Sequence, residues 1–463
     1  MTQTNEEIMK KPSTGRPFAR LGACAAVAGL VTVGLSATPA LADGDQLWVN
    51  ASPWQLVLPK ASETGPQPAP TTLNLSLSHD NAANQVVDGR ITVDISGLAG
   101  IAEVTWPEAC APAGTATAVC SVPEVPGTGN DSPVKVPVKV RAAVGAAVGA
   151  SGRISYRATA TTTTGEQLTS GEGWTEVRVA SGPDLSVTAL PPATGVTPGA
   201  TVPVPLTAVN NGDQPVNGVQ VTYYVTRGLT LNGLAPQCVS APAGNDQGPI
   251  HAVTKVDCAY DDVVEPGGTF TLPSPVTATV APYGLYERVD VGVQPRDGAE
   301  DLQPEDNGAI KAVTVANTAD FAVRGARLTA AAGETVTAQV TFRNRGPAWV
   351  ANLGSGDPVG RVDVTIPRGA TATAVPDACE PRTADGGWWE GEVRTGAPRY
   401  SCNLPIWVAE KQTVVLPFQL RVDTVVTGAK GAVVLQPPYG TEPLPFDPNR
   451  ANDKAKIVLN PAV

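Results

Sequence analysis

Six of the seven cysteines stand in three pairs, Cys110/Cys120, Cys238/Cys258 and Cys379/Cys402. An apolar strand position follows each second cysteine at one fixed interval, at Val134, Leu272 and Leu416. Thiols repeated in this way are suited to disulfide chemistry, one cross-link per repeating unit, in an oxidising compartment. Closing such a loop stabilises a fold by about 3 kcal/mol. Zinc chemistry needs a tighter spacing: no C-x-x-C occurs, and His79 and His251 are the only imidazoles. The expectation is three disulfides, each within its own module, with no metal and no cofactor.

Catalysis finds no constellation to work with. A serine hydrolase would need a histidine base and a Gly-x-Ser-x-Gly elbow, and the elbow is absent. His79 precedes the turn-forming Asp80-Asn81, and His251 lies between Cys238 and Cys258. A phosphate-cradling Gly-x-x-x-x-Gly-Lys loop and a helical metalloprotease motif are missing too. No carboxylate spacing marks a glycosidase pair. The chain is therefore read as having no catalytic residue.

Two loops gather oxygen atoms: Glu300-Asp301 with Glu305-Asp306-Asn307, and Asp447 with Asn449, Asn452 and Asp453. Calcium takes six to eight oxygens and could use such loops. Asx turns and the entry to a final strand account for the same residues without an ion, and that reading is preferred. Aromatic residues make up only 5% of the chain, which singles out Trp388-Trp389 between Gly386-Gly387 and Glu390-Gly391. Neighbours in an extended segment point opposite ways, so one indole is expected in solvent. There it could stack on a sugar or anchor a protein partner. The opposing reading packs one ring over a core and the other on the disulfide. Trp106, Trp349 and Trp407, beside strand-like runs, read as core or rim packing, and Trp48 and Trp54 as caps on the first module or parts of an arm.

The elements that must hold these residues read as strands. Residues 73–78, 91–95 and 134–140 alternate apolar with polar, the period of a strand with one buried face. Residues 201–210 and 335–344 behave alike and stop at Asn-x-Gly, where Asn and Gly suit a left-handed turn. Pro137, Pro203 and Pro205 inside such runs mark edges or bulges. No long helical stripe occurs; 142–150 reads as one helical turn or a bent strand. Two sheets over one core, a β-sandwich, is the expected packing, with a barrel as its competitor.

The pattern repeats along the chain. Gly199-Ala200-Thr201-Val202 matches Gly333-Glu334-Thr335-Val336, and Arg227-Gly228 matches Arg368-Gly369, each eleven residues before a cysteine. Asn307 to Lys311 matches Asn452 to Lys456, and Pro107-Glu108-Ala109-Cys110 mirrors Pro376-Asp377-Ala378-Cys379. With the openings Asp184-Leu185 and Asp320-Phe321 and the Asn-x-Gly strand ends, this set resembles the immunoglobulin-like repeat domains of bacterial secreted and surface proteins. These are the conserved-repeat or cell-adhesion-related type, here in an actinobacterial style. The resemblance spans 184–458 well and 73–178 weakly. It implies an all-β chain of tandem immunoglobulin-like β-sandwich modules, each with one disulfide, serving as spacers or adhesion modules.

Lys10, Lys11, Arg16 and Arg20 precede an apolar run over 21–41 that ends in Ala40-Leu41-Ala42, the pattern of a cleaved leader. Export would leave Asp43 first and remove Cys24. The organisation expected is a signal peptide at 1–42, an extended arm at 43–71, and modules at 72–182, 183–317 and 318–463. A formal net charge of -11 argues against binding a phosphate backbone. No further apolar stretch suggests stable membrane insertion of the mature chain. The reading is a secreted, extracellular, non-enzymatic protein with an envelope protein or glycan as partner and Trp388 and Trp389 as ligand contacts. A carbohydrate-binding protein and a secreted hydrolase with an unrecognised site are the alternatives.

Overall fold

The computed structural model describes residues 44–127, 134–244, 246–391, 393–440 and 442–462. The expected leader at 1–42, with Cys24 and the expected cleavage site before Asp43, lies outside the described residues. From Asp45 onward the chain is all-β in one compact unit. Among the described residues its helical content is three short 3-10 turns, Ser96–Leu98, Pro304–Asp306 and Arg450–Asn452.

One strand order occurs three times. In the first group of sheets it runs Gln55–Pro59, Gly173–Ala180, Ser151–Thr162, Val86–Asp94, Thr117–Val125, Cys110–Pro112. In the second it runs Ala193–Val196, Gly308–Val315, Tyr286–Pro295, Val216–Thr226, Val253–Val264, Val239–Pro242. In the third it runs Arg327–Leu328, Lys454–Leu459, Ala429–Gln436, Arg361–Thr365, Arg399–Asn403, Cys379–Arg382. Each time the opening strand pairs in parallel with the last strand of the group. Further strands carry the opposing apolar faces, and buried residues of both sheets meet in one cluster per group. In Val136–Ala142 every second residue is buried, and Leu73, Leu75 and Leu77 face the same core. Period-two patterning thus becomes a one-sided sheet.

Several local expectations are corrected. The segment at 43–71 is no arm: Leu47–Ser52 and Gln55–Pro59 are strands of the first group, with Leu47, Leu56 and Leu58 in its core. Three large side chains need burial, and an arm in water would leave them wet. The run 201–210 is two strands, Thr201–Pro203 and Thr207–Asn210, in different sheets. Pro203 and Pro205 remove ladder donors there, while Thr335–Asn344 stays whole. Pro137 sits in a strand with a neighbour on each side, but at a point where Ala102–Thr105 does not reach it. After the strand ends at Ala142, residues 143–150 form turns, with Gly145 and Gly149 at φ 85° and 90°.

The Asn-x-Gly ends work differently from a left-handed turn. Neither Asn210, Asn344, Gly212 nor Gly346 has a positive φ. A Cβ on Gly212 would overlap the Gly182 carbonyl oxygen, and one on Gly346 the Asp320 nitrogen. The glycines are there for close backbone approach. Asn210, fully buried, accepts the Asp184 and Gly212 N–H at 3.1 and 3.0 Å and donates to the Gln214 and Val264 carbonyls at 2.8 and 2.9 Å. Asn344 repeats this with Asp320, Gly346, Ala348 and Ala409.

Between the second and third groups lies a separate buried cluster around Trp349, Trp407, Ala252 and Ala409. The two indoles meet edge-on with centroids 5.9 Å apart. Trp349 Nε1 donates to buried Glu287 at 2.5 Å, and Arg227 makes paired bonds of 2.6 and 2.8 Å to Glu410 while lying 4.1 Å from the Tyr283 ring centre. Burial opposes the Glu410 charge, but Arg227 outweighs it and holds the carboxyl below its ordinary 4.5. A depressed carboxyl stabilises the fold above that value and loses the contribution as pH falls through its folded pKa. Acid titration from pH 7 should therefore leave the difference in melting midpoint between wild type and Glu410→Gln steady until about pH 4.5 and shrink it below that. Glu410→Gln should show a shallower acid fall; an equal fall in both proteins would count against the pair.

Candidate functional site

Each cysteine pair bonds an outer strand, or for Cys238 the residue just before it, to the neighbouring strand, with Cα atoms 3.9, 4.2 and 3.8 Å apart for Cys110–Cys120, Cys238–Cys258 and Cys379–Cys402. The bond ties the outermost strand to its sheet and fixes the base of the loop between them. The loop of the third group is clamped again by Arg394, whose Nη2 donates to the Pro376, Asp377 and Cys379 carbonyls at 3.0, 2.9 and 2.7 Å. Three carbonyls on one guanidinium, plus a covalent base, leave the loop little freedom. Replacing Cys379 and Cys402 by alanine is expected to cost about 2–4 kcal/mol. Limited proteolysis should then cut within 383–398; an uncut loop would show that Arg394 alone suffices.

Trp388 is 78% exposed on this loop. The Arg382 guanidinium lies 4.3 Å from its ring centre, and Glu380 holds that guanidinium at 2.5 Å. Trp389 is half-buried, packs against the third core and donates from Nε1 to the Val393 carbonyl at 3.2 Å. The two indoles therefore differ: one faces solvent beside a cation, the other supports the loop. Arg382 and Arg394 were invisible in the sequence as partners of this loop, because no period or motif links them to the tryptophans.

The histidines are far apart in role and place. His79 is buried against Asp45, Nδ1 to Oδ2 3.0 Å, and the same carboxylate accepts from the Asn81 N–H and the Asn84 amide. His251 makes an exposed pair with Asp246 at 2.9 Å. Among the described residues no three His, Cys, Asp or Glu side chains are gathered as for a metal ion. No helix among them is long and apolar enough to cross a membrane.

A cleft of about 770 Å³ opens between the first and second groups. Trp54, 73% exposed, stands at it with Gln55, Arg178, Gln294, Glu300 and Gln303. Its border includes the first oxygen-rich loop. Asp301 accepts the Leu185 and Gln303 N–H at 2.8 and 3.0 Å, and Asp447 accepts those of Phe321 and Asn449 at the same distances. Both aspartates thus make the Asx turn expected of them and staple the group's first strand to its last loop.

No family model matches the chain, and no curated protein matches it. Its fold is similar to a tetra-tandem repeat from the extending region of a large adhesion protein, at 15% identity over 90% of this chain and 74% of that one, with a TM-score of 0.26. It is also similar to a protein of unknown function from Porphyromonas gingivalis W83, at 9% identity over 58% and 98%, TM-score 0.15. A third likeness is to the Ig1-Ig2 domains of Dpr2 in complex with DIP-Theta Ig1-Ig3, at 10% identity over 88% and 97%, TM-score 0.22.

Proposed function

We propose that this is a secreted, non-catalytic protein of three immunoglobulin-like β-sandwich modules, at 72–182, 183–317 and 318–463, that binds a partner at the cell envelope. The strands at 47–59 belong with the first module in this reading, and 1–42 is its export signal. The contact is Trp388, with Arg382 beside it, and the partner is an envelope protein or glycan. The observation that carries the reading is a solvent-facing indole on a loop fixed by a disulfide and by Arg394. A rigid aromatic loses little entropy on binding, and such residues dominate interface energies.

The test is capture of the mature protein by cell-wall and secreted fractions. Trp388→Ala should abolish capture while leaving stability within about 0.5 kcal/mol, since an exposed side chain supports little. Trp389→Ala is the wrong probe, because that ring packs on the core. A glycan-binding reading is favoured by one further feature, the exposed Trp54 among amide and carboxylate side chains in the cleft. Loss of capture in Trp54→Ala, with Trp388→Ala unaffected, would move the contact there. Undiminished capture in both variants would remove both readings.

A further inference from the structure

Asp184 is only 1% exposed, and its Oδ1 has no hydrogen-bond partner. Burial, with the charge of Asp301 behind it, pushes this carboxyl up to about 6. Around the same Asp301, Asn307 is 8% exposed and directs its amide at the Asp301 carboxylate, leaving Oδ1 unpartnered. Asp306 joins them from the turn Pro304–Asp306, and burial followed by Asp184, Asp301 and Glu305 raises it to about 7. As a residue Asp306 is exposed, so water screens part of this repulsion. Dehydrated carboxylates facing one another are costly unless a cation or a proton lies between them.

The third group has the same architecture with the amide and one carboxylate exchanged, and there Asn452 Oδ1 and Asp453 Oδ1 are the unpartnered atoms. Backbone pairing puts Asp320, Asp447, Asn449, Asn452 and Asp453 where Asp184, Asp301, Gln303, Asp306 and Asn307 stand in the second, one residue off the Asn307/Asn452 match that the sequence suggests. There Asn452 donates from Nδ2 to Asp320 Oδ1 at 2.7 Å. In the second group a carboxylate, Asp306, replaces that amide, and Asp184 Oδ1 is left with nothing.

We propose that Asp184, Asp306 and Asn307 hold a calcium ion in the second group of sheets, with water completing the shell. Two carboxylates and an amide are hard oxygens, which suit calcium better than a transition metal. So few acidic ligands set a weak affinity, on the order of 10⁻⁴ to 10⁻³ M, in the range of extracellular modules. Asn307, one of the three ligands, lines the same cleft as Trp54.

The experiment is thermal unfolding and calorimetric titration of the mature chain with calcium chloride alone, against EDTA and magnesium. About 10 mM calcium should raise the melting midpoint by a few degrees, with magnesium much weaker. Asp306→Asn, which supplies the donor that Asn452 gives Asp320, should abolish that rise and melt higher than wild type in EDTA. Its exposed position makes it safer for folding than Asp184→Asn, which serves as the second variant. No calcium-dependent rise in the wild type, or a full rise in Asp306→Asn, would overturn the site. A shared proton is the competing outcome: calcium would then do nothing, and the midpoint would climb on acidification from about pH 7.5 to about 5.5.

Discussion

Truncating Trp349 to alanine is expected to destabilise the joint between the second and third groups by about 3–5 kcal/mol, the range for emptying a buried tryptophan site. The indole is almost fully buried against Trp407, so a cavity remains where the two rings met. Its N–H also leaves Glu287, a carboxylate that is buried and still accepts from Leu285, Gly228 and Thr226. Losing one of four donors to a buried charge adds about 1–3 kcal/mol. Calorimetry should show the second and third groups melting together in the wild type and separately in the variant. Trp349→Phe, which keeps apolar contact and drops the N–H, should fall between. A single unshifted transition in Trp349→Ala would mean the joint does not couple the two groups.

Asn344→Ala, and equally Asn210→Ala, should cost about 3 kcal/mol or more, because each removes four hydrogen bonds inside the core. Two backbone N–H groups and two carbonyls lose their partner where water cannot replace it. Asn344→Asp keeps the accepting oxygen and loses the donations, so its loss should be intermediate at neutral pH. Gly346→Ala should be as damaging as Asn344→Ala, since the new Cβ would meet the backbone at Asp320. Denaturant titration of the four variants measures this. Asn344→Ala at wild-type stability would show the side chain to be dispensable.

The alternating runs and the cysteine repeats were legible because they are local or evenly spaced. Period two maps directly onto a half-buried strand, and Leu73, Leu75 and Leu77 lie as their spacing requires. Asn-x-Gly was legible as a landmark but misread as a turn conformation. Its meaning depends on Gly182 and Asp184, some thirty residues upstream, whose approach no local pattern encodes. The strands at 47–59 were missed for a related reason. They pair with Thr71–His79 and, in parallel, with Gly173–Ala180, and a parallel partner so distant leaves no hairpin signal between them.

The candidate sites divide in the same way. Composition made Trp388-Trp389 conspicuous, but only packing separated the exposed ring from the supporting one and brought Arg382 and Arg394 to them. Trp349 and Trp407 looked like ordinary core residues, and they cover a joint between groups whose partners Arg227, Tyr283 and Glu287 come from another part of the chain. By itself the sequence determined the all-β character, because side-chain alternation is a property of each strand taken alone. The repeated position of the cysteines belongs to the sequence too. Tertiary structure alone decided which buried carboxylates face one another and which glycines carry a neighbouring backbone. It also decided which indoles stay wet. Each of these depends on desolvation by residues far away in the chain, and the energy of a polar or aromatic group is set by that environment rather than by its neighbours in sequence.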